Sequence, residues 1–181
     1  MKQYLIFSLC LVFIPVVPAG ASPRSQPPRF IPQETGFHLE VANGMWKTWI
    51  SRPHNNLGII DSLDISDNEL SLFPCQLHEM SNLKQLFFRS NSIESCKDFP
   101  RLNKLEELWL DSNWRLNTLK DLPVLPELKL LSLSGTAVKS LRSMQMQPQL
   151  KQIFLSSALE DNEKETLQQK YPRITLICPN D

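Results

Sequence analysis

The sequence predicts an α/β fold built as a solenoid: stacked coils with a parallel sheet along one side, short helical or 3-10 turns along the other, and a cap at each end. Three observations predict it. Apolar residues recur every 22–23 residues from Ile60 to about Arg173. Within each period a short stretch alternates apolar and polar positions, as a strand with one buried face does. A polar residue follows that stretch, and after it comes an arm interrupted by prolines.

The period is read directly from the blocks. They run IDSLDISDNELSLFPCQLHEMSN from Ile60, LKQLFFRSNSIESCKDFPRLNK from Leu83 and LEELWLDSNWRLNTLKDLPVLPE from Leu105. LKLLSLSGTAVKSLRSMQMQPQ from Leu128 and LKQIFLSSALEDNEKETLQQKYPR from Leu150 complete the series, with starts 23, 22, 23 and 22 residues apart. Three residues into each block stand Leu63, Leu86, Leu108, Leu131 and Ile153; two further on stand Ile65, Phe88, Leu110, Leu133 and Leu155. One such strand cannot bury its apolar side alone, so successive copies stack into a parallel sheet over a continuous core. Asn68, Asn91 and Asn113 follow the strands, where the chain leaves the sheet and its backbone needs both donors and acceptors. Thr136 and Ala158 hold that place in the last two blocks, which predicts a weaker polar ladder there.

The pattern LxxLxLxxN resembles that of leucine-rich repeat proteins, in the short bacterial and SDS22-like forms. The resemblance covers Ile60 to about Arg173 and implies a right-handed coil with a concave parallel sheet. The first block, with NELSLFPCQL, is nearer the NxLxxLP form, and Thr136 and Ala158 depart from the family asparagine. In the return arm, Leu70, Ile93, Leu116 and Val138 come first, then Phe73, Cys96, Leu119 and Leu141. Leu77, Phe99, Leu122 and Met144 close the core. Pro74, Pro100, Pro123, Pro126 and Pro148 limit this arm to short helical turns.

The ends divide into further segments. Residues 1–21 carry one lysine, an apolar run from Tyr4 to Val17 and Ala19-Gly20-Ala21, the layout of a secretory signal peptide cut after Ala21. Residues 22–35, rich in proline and without apolar period, read as a disordered, extended leader. Residues 36–59 read as an N-terminal cap, a degenerate repeat with Leu39 and Val41 set 24 residues before Leu63 and Ile65, and with Trp46 and Trp49 closing the core. The five repeats occupy 60–173, the last merging into a helical cap whose Leu167 and Tyr171 share a face; 174–181 form a final strand and tail. The expected mature protein is a secreted or periplasmic monomer with no membrane span.

In a strand, neighbours of an inward residue face outward. Trp109, between Leu108 and Leu110, therefore faces solvent, and the same slot in other repeats holds Asp64, Phe87, Ser132 and Phe154. The next outward column is Ser66, Arg89, Asp111, Ser134 and Ser156. A contiguous row of outward aromatics is what an interface uses and a monomer's surface usually avoids. Phe87, Arg89, Trp109, Asp111 and Phe154 are thus the candidate centre of a face that binds a protein or peptide partner. Cross-strand aromatic pairing that merely stabilises the sheet is the bland alternative, and Arg89 with Asp111 could form a solvated ion pair.

The sequence offers no chemistry beyond binding. Net charge is zero, which gives no reason to expect nucleic acid as a partner. Cys75 and His78 are spaced i,i+3, but zinc needs three or four protein ligands and no third is evident. No Gly-rich phosphate loop, GxSxG or HExxH is present, so neither an enzyme nor a cofactor is expected. Cys96 holds a core slot; a Cys75–Cys96 bridge stays open as an alternative, as does pairing of Cys178. The functional expectation is an exported binding module, with a structural or self-associating cell-envelope component as the other reading.

Overall fold

The computed structural model describes residues 28–33, 36–41, 44–47 and 56–178. The signal peptide expected over 1–21, the start of the leader, Trp49 and the last three residues lie outside them. Among the described residues, eight strands lie side by side in chain order. They are β1 (Arg29–Pro32), β2 (Phe37–Glu40), β3 (Ile60–Asp64), β4 (Gln85–Phe87), β5 (Glu107–Trp109), β6 (Leu130–Ser132), β7 (Gln152–Phe154) and β8 (Thr175–Ile177). β1 pairs antiparallel with β2, and every later neighbour pairs parallel. The fold is α/β, with one mostly parallel sheet and little helix.

Register follows the sequence period. Leu39, Leu63, Leu86, Leu108, Leu131 and Ile153 stand opposite one another along the sheet, and each is 0 % exposed. Burying each is worth about 1.5–3 kcal/mol, so slipping any strand by one residue would forfeit its inward side chain. The return-arm positions Phe73, Cys96, Leu119 and Leu141 are buried behind them, as are Leu77, Phe99, Leu122 and Met144. One arm forms a 3-10 turn at Cys75–Glu79; the others cross in irregular turns, as their prolines require.

The exit from the sheet repeats in detail. Asp67, Ser90, Ser112 and Gly135 occupy one position of successive sequence periods and all take left-handed backbone, with φ of 56, 51, 56 and 69°. The next residue then turns its side chain inward. Asn91 Nδ2 donates to the Ile65 and Phe88 carbonyls at 3.0 and 3.3 Å, while its Oδ1 accepts from the Asn68 and Leu70 amides at 3.2 and 2.9 Å. Asn68 reaches back to the Val41 carbonyl and accepts from Trp46 N–H. Asn113 donates to the Phe88 and Leu110 carbonyls, but its buried Oδ1 has no hydrogen-bond partner. The Thr136 hydroxyl bonds within its own period, to the Leu133 carbonyl, as a weaker ladder there would require. The bond between periods is supplied instead by Ser156, whose hydroxyl donates to the Thr136 backbone carbonyl at 2.6 Å.

One expectation at the N-terminal end is corrected. The leader 22–35 is not disordered throughout, since Arg29–Pro32 form β1 and close the sheet. Phe30 lies opposite Leu39 and packs against the core, and Pro32, which lacks an N–H, is tolerated on an edge strand. A strand used once has no period to reveal it. In the adjoining β2, Leu39 stands opposite Leu63, and Trp46 is buried.

At the other end, helix α1 (Asp161–Lys170) lies between β7 and β8 in the chain. Leu167 and Tyr171 are buried against the core. Glu163 is buried beside them, accepting from the Ser140 hydroxyl at 2.9 Å and the Leu141 amide at 3.2 Å and pairing with Arg142 Nε at 2.7 Å. The Tyr171 hydroxyl accepts from the Gln147 amide at 3.0 Å, which ties the residue after the helix to the preceding arm. No helix among the described residues is long and apolar enough to cross a membrane.

Candidate binding face

Strand alternation puts one column of side chains on the face away from the core: Asp64, Phe87, Trp109, Ser132 and Phe154, each opposite the next. Neighbouring strands are about 4.8 Å apart, which lets Phe87 and Trp109 stack with centroids at 5.9 Å and planes 23° apart. Trp109 and Phe154 are separated by β6, yet their centroids lie 5.5 Å apart. They lean together over Ser132, which is 0 % exposed although it points away from the core. The small side chain of Ser132 makes this closure sterically feasible.

The second column completes the cluster. The Arg89 guanidinium lies over both Phe87 and Trp109, its carbon 5.0 and 4.5 Å from their centroids. Its Nε stands 3.5 Å from Asp111 Oδ2, and the Ser132 hydroxyl donates to the other Asp111 oxygen. All five residues expected at the site are therefore brought together: Phe87, Arg89, Trp109, Asp111 and Phe154. The expected ion pair is also present, with the Arg89 side chain 41 % exposed and that of Asp111 18 %.

Trp109 is half-buried rather than open to solvent, which corrects the expectation of an exposed ring. Rings flank it on two sides and Arg89 covers part of its face. Ser66 and Ser156 of the second column are likewise buried, because each is drawn into the turn beside it. What remains accessible is the outer surface of a pre-packed aromatic strip.

Two supporting residues were not singled out from sequence. Glu107 accepts from Trp109 Nε1 through one carboxylate oxygen at 3.1 Å and from Gln85 Nε2 through the other, also at 3.1 Å. It stands two residues before Trp109 on the same strand, a spacing that could have revealed it. The His38 and Phe87 rings meet in a T-shaped arrangement, centroids 6.4 Å and planes 74° apart, and His38 Nδ1 is held by Ser62 Oγ at 2.7 Å. Its strand lies in the degenerate first unit, so no repeated slot drew attention to it. Trp114, 63 % exposed beneath Arg115, follows Asn113 and belongs to no apolar repeat slot.

The three cysteines among the described residues are free thiols. Cys75 is exposed, Cys178 half-buried and Cys96 buried in its core slot, so neither the Cys75–Cys96 bridge nor a Cys178 pairing forms. Burial, helped by the negative charge of Asp121, pushes the Cys96 thiol pKa up to about 12. His78 shares the 3-10 turn of Cys75 and is exposed with it.

The chain matches no family model and no curated protein.

Proposed function

We propose that the chain is an exported leucine-rich repeat module that binds a protein or peptide segment on the outward face of its sheet and performs no chemistry of its own. One observation carries this reading. Phe87, Trp109 and Phe154 form a contiguous aromatic strip on the side away from the core, with Arg89 fixed across two of its rings. Aromatic and arginine side chains dominate binding hot spots because they bury large area at small entropic cost. A strip already packed in place has little order left to lose on binding.

The finer architecture belongs to the same proposal. Parallel pairing at a 22–23-residue step, with one asparagine position serving successive exits, supports a right-handed repeat coil whose sheet is concave. The apolar segment within residues 1–21 supports cleavage after Ala21 and export to a periplasm or beyond, as a monomer.

The test is a pull-down with residues 22–181 as bait, wild type against a Phe87→Ser/Trp109→Ser variant shown to be folded by circular dichroism. A protein retained by the wild type and lost from the variant supports the reading. Equal retention on both refutes it. Sedimentation over a range of concentrations adds a separate check, since self-association abolished by Trp109→Ser would make a second copy the occupant and the protein a self-assembling component.

A further inference from the structure

The charges around the aromatic strip are lopsided. On the three outward columns of β2–β5 stand four carboxylates: Glu40, Asp64, Glu107 and Asp111. Asp111 is paired with Arg89, and Glu40 faces Arg29 of β1 at 3.7 Å. Asp64 and Glu107 make no salt-bridge contact among the described residues, although Lys129, whose ammonium is held by Glu106, is near enough to Glu107 to feel its charge. Both are partly exposed, and both are held in place by hydrogen bonds from uncharged donors. Asp64 accepts from the Ser66 amide at 2.9 Å, and Glu107 accepts from Gln85 and Trp109. The corresponding positions on β6–β8 are uncharged: Leu130, Ser132, Gln152, Phe154, Thr175 and Ile177.

The row at the start of the strands does not reverse this balance. Lys129 meets Glu106 at 2.5 Å and Lys84 lies 3.9 Å from Asp61. Lys151 stands beside β7, on the neutral half. A chain with no net charge therefore carries an excess of two negative charges beside Phe87 and Trp109. The same rings already accept a guanidinium, that of Arg89, on their faces. Aromatic faces and nearby carboxylates attract cations by the same electrostatics.

From this complementarity we infer that the occupant of the face is a basic peptide segment of a partner protein, one whose Lys or Arg side chains meet Asp64 and Glu107 while its apolar side chains lie along Phe87, Trp109 and Phe154. The inference rests on the proposed binding role of the face and adds the sign of the partner's charge. Phe154, flanked by neutral strands, takes the apolar end of the segment. The acidic half sets its direction, with the cationic end over β3–β5.

The test uses an array of random dodecapeptides probed with fluorescently labelled residues 22–181. Three proteins are compared: wild type, Trp109→Ser, and Asp64→Asn/Glu107→Gln, whose amides keep the shape of the carboxylates. The expected result is that peptides bound by wild type and lost with Trp109→Ser are enriched in Lys and Arg, and that they bind the amide variant at least tenfold more weakly. Raising salt from about 0.05 to 0.5 M should weaken the same peptides on the wild type, since screening acts within a few ångströms at that strength. This arm stands even if the amide variant does not fold. Trp109-dependent peptides with no basic enrichment, or with acidic enrichment, would overturn the basic-partner inference and leave the binding face intact. Absence of any Trp109-dependent peptide would overturn both.

Discussion

The rings of Trp109 and Phe154 meet 5.5 Å apart above Ser132, although their strands are not neighbours. Strands two places apart are separated by about 9.6 Å, so both side chains must lean inward across β6. That lean converts three isolated aromatic positions into one continuous strip, because Phe87 stacks on the opposite side of Trp109. It also gives Ser132 a role: a larger side chain there would hold the rings apart.

The Trp109–Phe154 contact should be measurable by itself. A double-mutant cycle with Trp109→Ala and Phe154→Ala, read by urea unfolding, is expected to give a coupling of about 0.5–1.5 kcal/mol. A Ser132→Leu substitution is expected to abolish that coupling. A coupling indistinguishable from zero in the wild-type background would show that the rings do not hold one another.

The asparagine positions should differ in cost. Asn91→Ala strands the Asn68 and Leu70 amides as well as the Ile65 carbonyl, all in buried surroundings. At about 1–3 kcal/mol per group left unpaired, the loss is expected to reach 3 kcal/mol or more. Asn113→Ala strands only carbonyls, because the Asn113 Oδ1 has no donor to lose. Denaturant midpoints should place Asn113→Ala clearly above Asn91→Ala, and the reverse order would contradict this account of the ladder.

Left-handed turn residues provide a pair of substitutions with opposite signs. Gly135 has φ 69°, so Gly135→Ala is expected to destabilise by roughly 1 kcal/mol, the left-handed strain less the gain from a stiffer unfolded chain. Ser112 has φ 56° at the equivalent position and pays that strain already. Ser112→Gly should therefore leave stability unchanged or raise it by a few tenths of a kcal/mol. Thermal unfolding of the two variants decides.

Cysteine reactivity should follow burial. With an aromatic disulfide reagent at pH 8, Cys75 is expected to react at once, Cys178 more slowly, and Cys96 only on unfolding. The raised Cys96 pKa also has a pH signature. The thiol stays protonated in the folded chain to about 12, whereas it ionises near 9.0 when unfolded. Its contribution is thus complete below pH 9 and is lost as pH rises toward 12, by up to about 1.4 kcal/mol per pH unit. Cys96→Ala should flatten the fall in stability between pH 9 and 10.5; an unchanged slope would assign the fall to other groups.

Legibility of the molecule tracked repetition. Leu63, Leu86 and Leu108 could be placed in register from spacing alone, because each strand presents the same position to the next. The outward column with Phe87, Trp109 and Phe154 followed from strand alternation applied to that register. The strand at Arg29–Pro32 was missed because it is used once and runs the other way. The grip of Glu107 on Trp109 was missed although alternation put both on one face, because spacing does not say which polar neighbour bonds. The common left-handed position was hidden by its residues: only Gly135 announces it, while Asp67, Ser90 and Ser112 do not.

By itself, the sequence determined which residues lie inward, which lie outward, and which stand beside one another on neighbouring strands. Alternation is a property of the strand backbone, and parallel pairing at the sequence period sets side chains 22–23 residues apart next to each other in one column. Only the tertiary structure decided that Trp109 and Phe154 close over Ser132, that Arg89 lies over two rings, and that Asp64 and Glu107 form no salt bridge among the described residues. Those outcomes depend on rotamers, and a rotamer is selected by the size and charge of whatever the neighbouring strand places next to it.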